Sequence, residues 1–416
     1  MKIIILRSSF QTDDFVRMEY AELLQRLEKE CCAEIHIIGD ESVETHDRAS
    51  LQTLPDAFMI ATGGVENLFK RIWETIDVEM MCSPLGRKTV TMIADGRNNS
   101  LAASLEILTY LGNNGMEGRI VHGTNDEIVQ TLRATSLRGR IGLFGQPSDW
   151  LIASSVDYDF LLQHYGIETI DIDLQRLIEG IEAIPQDEAA KVAQTMVKHA
   201  KAVKEPTCAD MVEAAKAYLA IKRICQEEHL DALTIRCFDI VKACGTTSCL
   251  ALALLNDEGI VAGCEGDMQT LMSMYLAQRL CGEVAFMANP SQLTDQSSML
   301  AHCTIPLTMC DETIVRSHFE SGIGVAVQGL LPLTDYTLFK WGGSQLDRYF
   351  VAEAQAIETP YSEHFCRTQI TLDVNLKPYL LQHSIGNHHV ILRGRHASQI
   401  RQFMLKNEVG ELRIEN

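Results

Sequence analysis

The sequence predicts an α/β fold: two doubly wound α/β domains followed by a mainly β, barrel-like C-terminal domain. Through the first two thirds of the chain, short apolar runs bounded by turn residues alternate with longer segments of helical period, the pattern of parallel βα units. After Pro290 the period changes, and from Ser297 the chain runs in short β segments with Gly and Thr between them. The domains expected from these changes are 1–135, 136–290 and 291–416.

In the first domain Lys2–Leu6, Glu34–Ile38, Ala57–Ala61, Thr89–Ala94 and Gly118–His122 read as buried strands, with helices at Asp14–Cys31, Val65–Asp77 and Leu101–Asn113. The second domain opens with the strand Arg140–Phe144, which runs into GQPSDW; there Ser148 or Asp149 is expected to cap a helix beginning at Trp150. The strand Thr169–Asp173 and a helix-rich stretch follow, in which Ala189–Leu219 carries Ala, Val, Met and Leu at helical spacing. Strands at Ala232–Arg236, Ile260–Cys264 and Glu283–Met287 then alternate with helices at Thr247–Asn256 and Met268–Cys281. In the last domain Gly322–Gln328, Thr334–Lys340, Gln369–Val374 and His389–Leu392 read as strands before a closing helix, Ala397–Lys406.

The composition narrows the function. The 416 residues are 46% apolar, enough for two or three cores, and carry 36 Lys+Arg against 56 Asp+Glu, a formal charge of −20. Such an acidic chain is unsuited to phosphate backbones or anionic membrane surfaces, so neither nucleic acid nor membrane is expected as a partner. The thirteen cysteines are scattered with no CxxC pair, which reads as reduced thiols, many of them buried. The N-terminal apolar run is too short for a signal peptide, and no stretch reaches the length of a membrane span. A cytoplasmic protein acting on a small molecule is the expectation.

Few segments carry chemistry. Ala61–Gly64 and Gly142–Gly145 follow strands but complete no phosphate-loop pattern, and read as tight turns. Cys264–Glu265–Gly266–Asp267 is more informative, because it lies where an apolar strand ends and a helix begins, the place where open α/β sheets bind ligands. Its two carboxylates either hold a divalent cation or serve locally, Asp267 as a helix cap and Glu265 in an ion pair. His388 and His389 are adjacent in a β run, so at most one faces a given cleft. Asn289 and His302 each follow an apolar run in the same half of the chain. Trp150 stands beside the capping residues, and Arg367, Arg393 and Arg395 are the basic candidates for a hydroxyl-rich or carboxylate ligand.

The run CEGDMQTLMSMYLAQRLCGEVAFMAN, with LAHCTIP, CRTQI and GNHHV after it, resembles the L-fucose isomerase/L-arabinose isomerase superfamily, in particular its fucose isomerase-like subgroup. The likeness is tightest over 232–306 and loosest over 1–135. It implies a metal-dependent aldose–ketose isomerase, homo-oligomeric as a trimer or hexamer, with a small-molecule sugar substrate and a divalent metal, Mn²⁺ or alternatively Mg²⁺. Carried over by position, the metal ligands fall on Glu265, Asn289 and His389, and the catalytic groups on Glu265 and Asp267; His302, His388, Arg367 and Trp150 are the residues expected to contact the substrate. The family has an acidic ligand where this chain has Asn289, an amide that cannot titrate. The enediol chemistry then falls to Glu265 as base, with Asp267 or Asp295 replacing the lost partner. The alternative is a sugar-binding homologue that keeps the fold, with or without the metal, and lacks the activity; another metal-assisted reaction on a polyhydroxylated substrate is a third.

Overall fold

The structure is a computed structural model that describes residues 1–31, 33–40, 55–76, 82–83, 86–87, 89–135, 137–198 and 200–413. The chain forms two compact units, Met1–Ser136 and Leu137–Asn416.

In the first unit β1 (Lys2–Leu6), β2 (Glu34–Ile38), β3 (Ala57–Ile60), β4 (Val90–Ala94) and β5 (Gly118–His122) form a parallel sheet in the order β2-β1-β3-β4-β5. Successive residues of a strand point to opposite faces, and β1 is apolar on both. Ile4 and Leu6 pack with Phe58, Ile60 and the helices Glu66–Trp73 and Ser100–Asn113. Ile3 and Ile5 pack with Met59 and the helices Asp13–Glu19, Ala21–Glu30 and Asn125–Thr135. Helices on both faces make this sheet doubly wound, as expected. The expected helix end at Asp77 lies outside the described residues, as does Cys32.

The second unit contains a parallel sheet and a barrel. The sheet joins β6 (Gly139–Phe144), β7 (Ile167–Ile172), β8 (Ala232–Ile235) and β9 (Val261–Cys264) in the order β9-β8-β6-β7. The helix-rich stretch resolves into Gln186–Lys198 and Cys208–Glu227, the latter opened by a Thr207/Asp210 capping box. The barrel joins β10 (Ala285–Leu293), β11 (Ser298–His302), β12 (Asp335–Gly342), β13 (Arg348–Glu358), β14 (Thr368–Leu372) and β15 (His389–Arg393). Their antiparallel order β12-β15-β10-β11-β14-β13 closes through a further β12–β13 pairing, so six strands form a barrel.

Two expectations need correction. The strand expected to close the second α/β series, Glu283–Met287, is β10, which pairs with β11 and β15 in the barrel; the expected boundary near 290 falls inside it. An apolar run such as AFMA suits a buried parallel strand and a barrel strand equally, so periodicity could not separate them. Trp150 begins no helix. Residues 146–157 lack helical structure, Ser148 donates its N–H to the Glu265 carbonyl, and Asp149 pairs with Arg236 at 2.8 Å.

The helix Met268–Leu276 ties sheet to barrel. All nine of its residues are buried, and its polar side chains are hydrogen-bonded. Its Ser273 hydroxyl accepts the Trp341 N–H of β12 at 2.8 Å, and its Tyr275 hydroxyl donates to the Arg138 carbonyl, just before β6, at 3.0 Å. The eleven cysteines with described side chains are free thiols.

Candidate functional site

The site is built around the turn between β9 and the Met268 helix. Glu265 and Gly266 both adopt positive φ, 64° and 73°. A left-handed non-glycine residue is unfavourable by about 1–3 kcal/mol and persists only where its surroundings impose it. Here the neighbouring loop does so. A Cβ on Gly266 would lie 2.7 Å from Pro147 Cα and 2.9 Å from the Gln146 carbonyl oxygen, so glycine alone fits. The same loop delivers Trp150, whose indole Nε1 donates to Glu265 Oε2 at 2.6 Å while its ring meets Phe238 edge-on at 5.0 Å. The loop follows β6 and the turn follows β9, so both lie beyond carboxyl ends of the parallel sheet.

The barrel brings two imidazoles to this carboxylate. His302 ends β11 and His388 immediately precedes β15; their Nε2 atoms lie 3.7 and 3.5 Å from Glu265 Oε1. Ligand-type atoms of Glu265, His302 and His388 all lie within 4.8 Å of one another. Each histidine has its other nitrogen engaged: His302 Nδ1 with the Thr304 hydroxyl at 3.0 Å, and His388 Nδ1 with Asp267 Oδ2 at 2.9 Å. His388 Nε2 is buried and has no hydrogen-bond partner among the described residues, and the same holds for Asn289 Oδ1. Asn289 lies opposite Ala301 and follows Ala288, which pairs with His389. A carboxylate oxygen and two imidazole nitrogens are donors that suit a divalent first-row cation, and the orphaned Nε2 is what such a cation would satisfy.

The electrostatics follow from burial and pairing. Burial alone would raise the Glu265 carboxyl, but the imidazoles of His302 and His388, 3.7 and 3.5 Å from Oε1, override it and hold it well below the carboxylate range. Burial likewise opposes ionisation of Asp267, yet Lys340 and His388 bring it down to about 2. His388 is pushed up to about 9, because Asp267 and Glu265 outweigh its burial. His302 is lowered by burial.

The sequence-derived candidates separate clearly. The imidazole that meets Glu265 beside His302 is His388, not His389. His389 turns to the other side, where its Nε2 lies 2.9 Å from the Tyr379 hydroxyl and its Nδ1 3.0 Å from the Asn387 carbonyl, and burial and Lys340 depress it to about 3. Asp267 does not face the open side of the group. It is fully buried, caps the Met268 helix through the Thr270 N–H and orients His388. Asp295 is exposed and paired with Lys377 at 2.8 Å, away from the site. Arg367 is buried against the Ser317 carbonyl and hydroxyl and the Tyr361 hydroxyl, and pairs with no carboxylate among the described residues.

Two groups escaped the sequence reading. His318 is buried beside Phe238, ring centroids 5.5 Å apart, and burial lowers it to about 4; its Nδ1 accepts the Ser321 N–H, which leaves Nε2 as the protonated nitrogen. Lys340 is a fully buried lysine in β12. A charged residue set directly between Phe339 and Trp341 was the signal available for it.

No family model matches the chain. It is similar to proteins named sulfoquinovose isomerase: 25% identical over 222 residues to that of Clostridium sp. (strain MSTE9), covering 51% of this chain and 49% of the relative. To that of Alkalicoccus urumqiensis it is 24% identical over 246 residues, 57% of this chain and 54% of the relative. To that of Priestia megaterium it is 24% identical over 199 residues, 45% and 44%. The chain thus spans about half the length of the curated relatives it matches.

Proposed function

We propose that this protein is a metal-dependent aldose–ketose sugar isomerase. The observation that carries the reading is the buried group of Glu265, His302 and His388, in which His388 Nε2 is left without a partner. Glu265, His302 and His388 would hold the metal, with Asn289 Oδ1 as a fourth donor. A bound divalent cation supplies Lewis acidity toward the sugar's O1 and O2. Glu265 stays ionised and is oriented by Trp150, so it can take the proton from C2 and return it at C1 of a cis-enediol; one carboxylate on one face suffices. Trp150 and His318 both meet the Phe238 ring edge-on, which sets an aromatic cluster beside Glu265. Arg367 offers a guanidinium with no carboxylate partner among the described residues, suited to a sugar that bears an anionic substituent. Sulfoquinovose, the sugar in the relatives' name, is accordingly the first substrate to test.

A second reading is favoured by Asn289: a sugar-binding homologue that keeps the metal but moves no proton. Incubating the protein with sulfoquinovose and a panel of aldoses, with Mn²⁺ or with EDTA, separates the two. Ketose that forms with Mn²⁺ and disappears with EDTA or in Glu265→Gln supports the isomerase; no ketose from any aldose sinks it. On the strength of the family resemblance, the reading extends to a cytosolic homo-oligomer, trimer or hexamer.

A further inference from the structure

Lys340 sits between Phe339 and Trp341 on β12 with no solvent exposure. Burying an ammonium costs several kcal/mol unless it is paired, so its partners indicate what it is for. Its Nζ donates to Thr270 Oγ1 at 2.6 Å and lies 3.8 Å from Asp267 Oδ2. The Thr270 hydroxyl donates in turn to Asp267 Oδ2 at 2.7 Å, and that same oxygen accepts from His388 Nδ1 at 2.9 Å. The series ends on His388 Nε2, which has no hydrogen-bond partner among the described residues and lies 3.5 Å from Glu265 Oε1. A second contact points the same way. Gly386 has φ +111°, and a Cβ there would lie 3.6 Å from Lys340 Cε, so the lysine stem packs under the turn that delivers His388.

We propose that Lys340 is a positioning residue: acting through Thr270 and Asp267, it fixes the orientation of the His388 ring, and thereby sets the affinity of the Glu265–His302–His388 group for a divalent cation. The inference rests on reading that group as a metal centre. Asp267 Oδ2 takes both the Thr270 hydroxyl and His388 Nδ1, and Lys340 pins that hydroxyl from below, so the partner that fixes the ring of a ligating histidine is itself fixed.

The test is calorimetric titration of Mn²⁺ into the metal-free full-length protein, wild type beside K340M, D267N, K340M/D267N and E265Q. K340M is expected to weaken Mn²⁺ about tenfold, as loss of a supporting partner of a ligating histidine does, and D267N at least as much. Because both act on one histidine through one carboxylate, K340M/D267N should bind no more weakly than D267N. Wild-type affinity in K340M overturns the proposal. So does a double variant weaker than D267N by the full K340M factor, since Lys340 would then act by another route. E265Q that binds Mn²⁺ like the wild type overturns the metal-centre reading instead. If K340M does not fold, K340Q takes its place with the same outcomes: wild-type affinity in K340Q, or a further tenfold loss in K340Q/D267N over D267N, removes the proposal.

Discussion

Trp150 and Glu265, 115 residues apart in the chain, are joined by a 2.6 Å hydrogen bond from the indole nitrogen to Oε2. That bond occupies one carboxylate oxygen and leaves Oε1 toward the two histidines. Trp150→Phe keeps an aromatic edge for Phe238 and removes only the bond. A hydrogen bond to a charged group is worth about 1.5–3 kcal/mol, so kcat/KM for isomerisation should fall about 10- to 100-fold. Thermal unfolding should stay within a degree or two of wild type, because the side chain is half exposed. Steady-state kinetics with unchanged kcat/KM would show that the bond orients nothing.

The adjacent histidines should behave differently. His388→Ala removes a donor from the candidate centre and is expected to abolish tight Mn²⁺ binding in calorimetry. His389→Ala should leave that binding within about twofold while lowering stability by roughly 1–3 kcal/mol, since the buried Tyr379 hydroxyl loses its partner. Chemical denaturation reads the second effect. The opposite pattern would return the ligand role to His389.

Gly266 is the point where the two loops press together. Gly266→Ala places a methyl group 2.7 Å from Pro147 Cα at a positive φ, so the turn must move. A stability loss on the order of 1–3 kcal/mol is expected, with weaker Mn²⁺ binding because Glu265 moves with the turn. A fully stable variant with wild-type affinity would mean that the close packing of 146–148 on the turn does not fix Glu265.

Arg367 distinguishes substrates. Arg367→Met should raise KM for an anionic aldose such as sulfoquinovose about tenfold or more, while KM for a neutral aldose changes little. Equal losses on both would assign the guanidinium to holding Ser317 and Tyr361 in place, not to substrate charge.

How much of this was legible in the sequence varies by residue. The five strands of the first unit and the turn Cys264–Asp267 were readable because apolar runs with sharp polar ends admit few alternatives. The histidine pair was visible, but which member faces Glu265 was not. Neighbouring strand residues point to opposite sides, and the strand's register in the barrel decides the matter. Asp267 was legible as a helix cap, which it is, but its partners His388 and Lys340 were not, since they are supplied by barrel segments far along the chain. Lys340 was passed over because a single charge between two aromatic residues shows its meaning only when its buried partners are known. The segment GQPSDW signalled a helix cap, yet tertiary contact with Gly266 and Arg236 overrode that local preference.

The most direct measurement is proton exchange at the sugar itself. Mn²⁺-loaded protein is incubated with sulfoquinovose in D₂O and followed by NMR. Isomerisation through Glu265 should give ketose carrying deuterium at C1 and aldose exchanging at C2, with both signals lost in Glu265→Gln. Sugar that binds, shown by saturation transfer, yet exchanges no proton at C2 would contradict the isomerase and leave a binding protein.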